Sequence, residues 1–148
     1  MNHKLHKNYW NKIPSWEKII HLLDRNVALK TEVRFFDRLG FIIRNANGVE
    51  EAQELLDHIK EIHYEPLPPN CHIYASLLSN SGTFKNHQDA SDVYIVQAHG
   101  NIRYIVTEED GQKYDYTMGP GDMLYIKKFL FHEPILLGPR VTMSVAFN

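Results

Sequence analysis

From Cys71 to the end, the chain is broken into short strand-like pieces: "CHIYASLL", "SDVYIVQA", "IRYIVTE", "QKYDYTM", "DMLYIKK", "EPILL" and "RVTMSVAF". Each is rich in β-branched or aromatic residues. Turn formers part them at Ser81-Gly82, Gly100-Asn101, Asp110-Gly111, Gly119-Pro120-Gly121 and Gly138-Pro139. Strands spaced this closely leave no room for crossover helices, which excludes βαβ units and points to a sandwich or barrel. Within "EEDGQKY", Asp110-Gly111 predicts a hairpin with a type I′ turn.

Residues 1–70 read differently, as a mixture of helix and strand. In "PSWEKIIHLLD", Ser15 is placed to cap a helix with Trp16, Ile19, Ile20 and Leu23 on one side. "VALKTEVRFFDRLGFIIRNA" predicts two strands, or one interrupted near Gly40. Asn47 and Glu50 have capping-box spacing ahead of a second helix, in which Val49, Ala52, Leu55, Leu56 and Ile59 share a face suited to a sheet. "YEPLPPN" closes that helix. With 148 residues, 43% hydrophobic and 23% charged, the chain can bury one core. The expectation is a single domain over 1–148, mainly β, with a mixed α/β cap over 1–70 and a barrel over 71–148.

Composition bounds the partners. A formal net charge of -2 supplies no attraction to nucleic acid. The single cysteine, Cys71, has no intrachain partner and sits in an apolar run as a core residue. The opening "MNHKLHKNYWNK" lacks the apolar core of a signal peptide, and no run approaches the roughly 20 apolar residues of a membrane span. The expected setting is cytoplasmic, where reducing conditions suit ferrous iron, with neither membrane nor nucleic acid as partner.

In "FKNHQDASDVYIVQAHG" a histidine and an aspartate stand one residue apart. On a strand, residues i and i+2 point the same way, so His87 and Asp89 can converge on one ion. A second histidine would complete the two-histidine, one-carboxylate face that leaves positions open on Fe(II), and His132 is the candidate. His132 follows Asp89 by 43 residues, so only folding can bring it there. A His-x-Asp pair alone is an unspecific signal, since surface aspartate and core histidine are both common.

Taken together, "GTFKNHQDASDVYIVQAHGNIRYIV" and "MGPGDMLYIKKFLFHEPILLGPRVTMSVAF" resemble the cupin-fold JmjC-type oxygenases. The likeness is to the branch holding bacterial ribosomal-protein hydroxylases and the asparaginyl hydroxylase of a hypoxia factor. It rests on His87/Asp89, Gln97/Gly100, the Gly121–Ile126 strand and His132, and covers roughly residues 71–147. Lys127 and Phe129 stand where the second general cupin motif has proline and glycine. The resemblance implies a double-stranded β-helix, or jelly-roll barrel, holding iron through His87, Asp89 and His132. It further implies 2-oxoglutarate as cosubstrate and dioxygen as oxidant in a hydroxylation.

One position departs from the pattern. The residue two after Gly100, basic in those relatives, is Ile102 here, and isoleucine cannot neutralise a carboxylate. Arg103 should face outward by strand alternation. Other bases remain: Arg140 on the last strand, whose planar fork suits a carboxylate, and Lys85 on the expected face of His87 and Asp89. Thr83, Tyr74 and Gln97 complete the candidate cosubstrate set, each with packing or turn duty as the alternative. Tyr94, Tyr104 and Tyr125 are cavity or packing candidates; Asp92 is a loop or substrate candidate; Asp122 is a brace for the Gly119–Gly121 turn. His72 and His99 are ligand candidates on composition alone.

The functional expectation is an Fe(II)- and 2-oxoglutarate-dependent dioxygenase acting on a small molecule or a protein side chain, with a homodimer compatible with the resemblance. Two alternatives stay open because of Ile102: a noncatalytic metal-binding module, and a metal cupin enzyme that does not use 2-oxoglutarate.

Overall fold

The computed structural model describes residues 2–24 and 32–148. Its order is β1 (His3–His6), α1 (Trp16–Leu23), β2 (Glu32–Phe36), β3 (Gly40–Arg44), a 3-10 turn (Ala46–Gly48) and α2 (Glu50–Ile62). There follow β4 (Pro69–Ser76), β5 (Val93–His99), β6 (Ile102–Thr107), β7 (Lys113–Met118), β8 (Met123–Ile126), β9 (Phe131–Leu136) and β10 (Arg140–Phe147). The strands form two antiparallel sheets, one ordered β1-β8-β5-β10-β4-β3-β2 and the other β7-β6-β9. This is the mainly β jelly roll expected from the strand spacing.

Strand alternation gives the large sheet two unlike faces. On β10, Val141, Met143, Val145 and Phe147 pack with Cys71, Ile73 and Ala75 of β4 beneath both helices. α2 supplies Ala52, Leu55, Leu56 and Ile59, all buried, as its 3.6-residue repeat requires. α1 begins at the Ser15 cap, whose Oγ accepts from the Lys18 amide at 3.1 Å. The opposite face of the large sheet turns toward the small one. Val93, Ile95, Leu124 and Ile126 meet Ile102, Tyr104, Val106 and Met118 there, and fill one part of the space between the sheets.

Three local expectations are corrected, and one strand is added. Ile20 is 50% exposed, and Leu22 is buried in its stead, because successive helical residues are turned by about 100°. Asn47 does not cap α2: its Oδ1 accepts from the Cys71 amide at 3.1 Å, tying the 3-10 turn to β4, and Val49 occupies the cap without a side-chain bond. The β6–β7 hairpin is not type I′, since only Gly111 (φ +86°) enters the left-handed region. Glu108 and Gln112 close a three-residue loop through Glu108 N→Gln112 O at 2.8 Å, the type I turn plus glycine bulge arrangement. β1 was not foreseen, for "HKLH" has no apolar alternation; it adds to the large sheet beside β8. Of the predicted strand pair, residues 27–31 lie outside the described residues; Gly40 opens β3 after the Asp37–Leu39 turn. Among the described residues no helix is long and apolar enough to cross a membrane.

Candidate active site

Between the sheets lies a cavity of about 370 Å³, lined by residues of β3, β4, β5, β6, β9, β10 and the segment joining β4 to β5. His87 and Asp89 sit on that segment and not on a strand, so the alternation that predicted their shared direction does not operate. The main chain does the work. His87 N donates to His132 O at 3.0 Å and His132 N returns a bond to His87 O at 2.8 Å, an isolated bridge that pins the segment to β9. Two residues on, Phe129 N donates to Asp89 O at 2.9 Å. Together these bonds bring Asp89 Oδ2 to 3.1 Å from His132 Nε2 and 3.9 Å from His87 Nε2, with the two imidazole centroids 4.4 Å apart.

Both rings are held in the same way. His87 Nδ1 lies 2.7 Å from Lys85 O, and His132 Nδ1 lies 2.9 Å from Leu130 O. A carbonyl can only accept, so each Nδ1 carries the proton and each Nε2 presents its lone pair toward Asp89. Two neutral imidazoles and a carboxylate facing one point are the donor set of a divalent metal site, and the three ligand atoms lie within 4.8 Å of one another. Burial alone would raise the Asp89 pKa, but without a metal a second ring proton, on His132 Nε2, bonds the carboxylate and with the neighbouring rings brings it below the usual carboxylate range; a metal ion takes the place of that proton. His132 is almost fully buried, whereas His87 and Asp89 are partly exposed, which places the mouth on their side.

Arg140 opens β10 with its side chain 2% exposed and pointing into the same cavity. Nη1 donates to Thr142 Oγ1 at 2.8 Å, Nε to Ser76 Oγ at 3.1 Å and Nη2 to Thr83 Oγ1 at 3.2 Å, while the guanidinium lies 5.6 Å over the Tyr74 ring. Tyr104 also faces it. Every polar partner is a hydroxyl; among the described residues no carboxylate neutralises this buried cation. Burial therefore lowers its pKa, partly offset by the phenols of Tyr104 and Tyr74. Gly100 (φ +70°) lets the β5–β6 turn close against the start of β10, where a Cβ would stand 2.0 Å from Pro139 O.

The structure sorts the remaining candidates. Thr83 and Tyr74 line the cavity. Lys85 does not: its side chain is exposed, and only its carbonyl serves the site, through His87. Gln97 is likewise absent from the lining. Its amide donates to His99 O and Gly100 O, and its Oε1 accepts from the Thr142 hydroxyl at 2.7 Å, which turns that oxygen's lone pair toward Arg140. Ile102 is buried in the apolar cluster, and Arg103 faces outward onto Asp115, its Nε donating at 3.2 Å. His99 stacks on Trp16 and bonds Pro14 O, away from the metal ligands.

Asp122 braces its turn as expected, accepting from Gly119 N, Asn8 N and Lys7 Nζ, each at 2.9 Å. Asp92 accepts from the Tyr125 hydroxyl and Lys128 N, and so orders the approach to β9. It forms with His63 and Glu65 a second cluster outside the cavity; Tyr94 bonds His63 there. Sequence reasoning missed Thr142, Ser76 and Arg44. The i+2 spacing of Arg140 and Thr142 on one strand was available as a signal for the first. Ser76 depends on β4 lying beside β10, and Arg44 on β3 lying beside β4.

No model of a known protein family matches the chain, and no curated protein matches it by sequence. Solved structures do. YcfD, a ribosomal oxygenase from Escherichia coli, in complex with cobalt and succinic acid, superposes with a TM-score of 0.76 at 21% identity over 99% of this chain. Its complex with cobalt and 2-oxoglutarate gives 0.75 at 20%. Oxalate decarboxylase from Bacillus subtilis, a protein with Mn(II) centres, gives 0.58 at 14% over 80% of this chain. The chain spans about half of YcfD (48%) and 28% of the decarboxylase. The fold is that of the cupins, a double-stranded β-helix.

Proposed function

We propose that this chain is an Fe(II)- and 2-oxoglutarate-dependent hydroxylase. His87 Nε2, Asp89 Oδ2 and His132 Nε2 hold the metal, and Arg140 holds the distal carboxylate of the cosubstrate. The observation that carries the reading is Arg140: a fully buried guanidinium beside a two-histidine, one-carboxylate set, with only hydroxyls as partners. A buried charge without a counter-charge costs several kcal/mol, and a dianionic ligand removes that cost. Arg140 thus takes the role that Ile102 cannot. The solved complex of YcfD with cobalt and 2-oxoglutarate supports the same chemistry on this fold.

Ferrous iron, when bound, supplies activation of dioxygen, so that 2-oxoglutarate, dioxygen and a C–H bond become succinate, carbon dioxide and C–OH. The chain's own residues bind and orient. The carbonyls of Lys85 and Leu130 keep both histidines in the ligating tautomer. Ser76, Thr83 and Thr142 hold the Arg140 fork in one plane. Tyr74, Tyr104, Val93 and Ile95 line the same cavity, and restrict water there.

The test is anaerobic loading with Fe(II) and titration with 2-oxoglutarate, followed through the metal-to-ligand charge-transfer band. The band is expected in the wild type, with affinity reduced on the order of 100-fold in Arg140→Ala and unchanged in Arg103→Ala. No band at millimolar 2-oxoglutarate overturns the cosubstrate assignment. The burial of Ile102 where those relatives are basic then favours a metal cupin that does not use this keto acid.

A further inference from the structure

The cavity has a second cationic end. Arg44, the last residue of β3, lines it, and its Nε is buried without a hydrogen-bond partner among the described residues. The register that pairs Ile43 with Ile73 places Arg44 beside His72, which stands opposite Ser144 on β10. Both neighbours also line the cavity. His72 Nδ1 accepts from the Asn45 amide at 3.1 Å, so the ring proton lies on Nε2 and that nitrogen is a donor. Burial, reinforced by Arg44, holds His72 below the usual imidazole range, so it stays neutral. Glu32 lies across from Arg44 on β2, but it is exposed and its Oε1 already accepts from Arg34 Nε at 2.7 Å.

The two arginines serve different ends. Arg140 pairs across the sheet with Ser76, which pairs with Gly40, four residues before Arg44 on the same strand. At about 3.4 Å per residue the two rows are about 14 Å apart. One dianion held between the metal and Arg140 does not reach Arg44, whose charge is met among the described residues only by the exposed Glu32, itself bonded to Arg34. Among the described residues, Asp89 is the one acidic side chain of the lining. With a divalent ion and a dianionic cosubstrate in place, one positive charge remains, at the Arg44 end.

We propose that Arg44, with His72 Nε2–H and the Ser144 hydroxyl, binds the carboxylate of a small organic acid, the substrate whose C–H bond is presented to the metal centre. The Nε edge of a guanidinium offers two parallel donors, which suits a planar carboxylate. A cavity of about 370 Å³ lies at the small end of ligand sites, room for a cosubstrate and a short acid. This rests on His87, Asp89 and His132 being the metal centre.

The experiment uses the full chain loaded with Co(II) and saturated with 2-oxoglutarate. Binding is measured by calorimetry for benzoate against benzamide and hexanoate against hexanamide, pairs matched in shape and unlike in charge. At least one acid is expected to bind about tenfold or more tighter than its amide. Arg44→Gln should remove that preference while leaving 2-oxoglutarate affinity within about twofold; Arg44→Lys should restore part of it. Arg140→Gln should do the reverse. Acids that bind no better than their amides, or an acid preference that survives Arg44→Gln, overturn the proposal. So does 2-oxoglutarate affinity that falls with Arg44→Gln, which would make Arg44 the cosubstrate anchor. If 2-oxoglutarate fails to bind but the Arg44-dependent preference persists without it, the cosubstrate reading falls and the acid site stands. Circular dichroism of each variant checks that the fold is retained.

Discussion

The two faces of the large sheet are built from alternate residues of the same strands, yet they follow opposite rules. On β10 the helix-side set of Val141, Met143, Val145 and Phe147 is apolar and packed shut. The cavity-side set of Arg140, Thr142 and Ser144 is polar, and buried or half-buried. The first face accounts for the stability of the fold. The second holds a cation that a purely structural interior would exclude, and so marks where natural sequence has accepted a cost. A period-two pattern that is apolar on one side and buried-polar on the other is thus informative about function in a way that burial alone is not.

The comparison can be tested at three levels. Leu55→Ala, which opens a cavity under the helix-side face, should cost about 3 kcal/mol, measured by urea denaturation. A cost below about 1 kcal/mol would mean that α2 is not part of the core. Arg140→Met, on the other face, should raise stability by about 1–2 kcal/mol while weakening 2-oxoglutarate binding, since it removes an unneutralised charge and keeps the volume. Destabilisation there would show that the hydroxyl ring compensates the charge fully.

The third and smallest effect concerns Cys71 on the helix side, whose thiol burial pushes up to about 12 from an ordinary 9.0. The unfolded chain releases this proton first, so the unfolded state binds fewer protons above pH 9 and stability falls as pH rises. The expected loss is about 1 kcal/mol between pH 9 and pH 10. Cys71→Ala should flatten that limb of the pH profile; an unchanged slope would assign it to the tyrosines.

Most of the barrel was legible because turn residues recur at short intervals. β10 was read over its observed span, 140–147, and the α2 core face was read residue by residue. What failed was chemistry carried by neighbours distant in sequence. Asn47 has the spacing of a cap, but β4 offers its oxygen a better donor. His87 and Asp89 lie side by side, but a backbone bridge to His132 and not a strand pleat aims them. Phe129, which stands where the second cupin motif has glycine, has a φ of +67°, the left-handed backbone that glycine favours. Arg140 could be placed on its strand, but that its companions are all hydroxyls is visible only once β4, β10 and the 81–84 segment meet.

Those hydroxyls have a consequence for how an anion is received. The guanidinium is stripped of water when the chain folds, and Ser76, Thr83 and Thr142 stand in for the lost hydration shell without cancelling its charge. A carboxylate bound as proposed would meet a cation that is already dry and already aimed, with only its own water to shed.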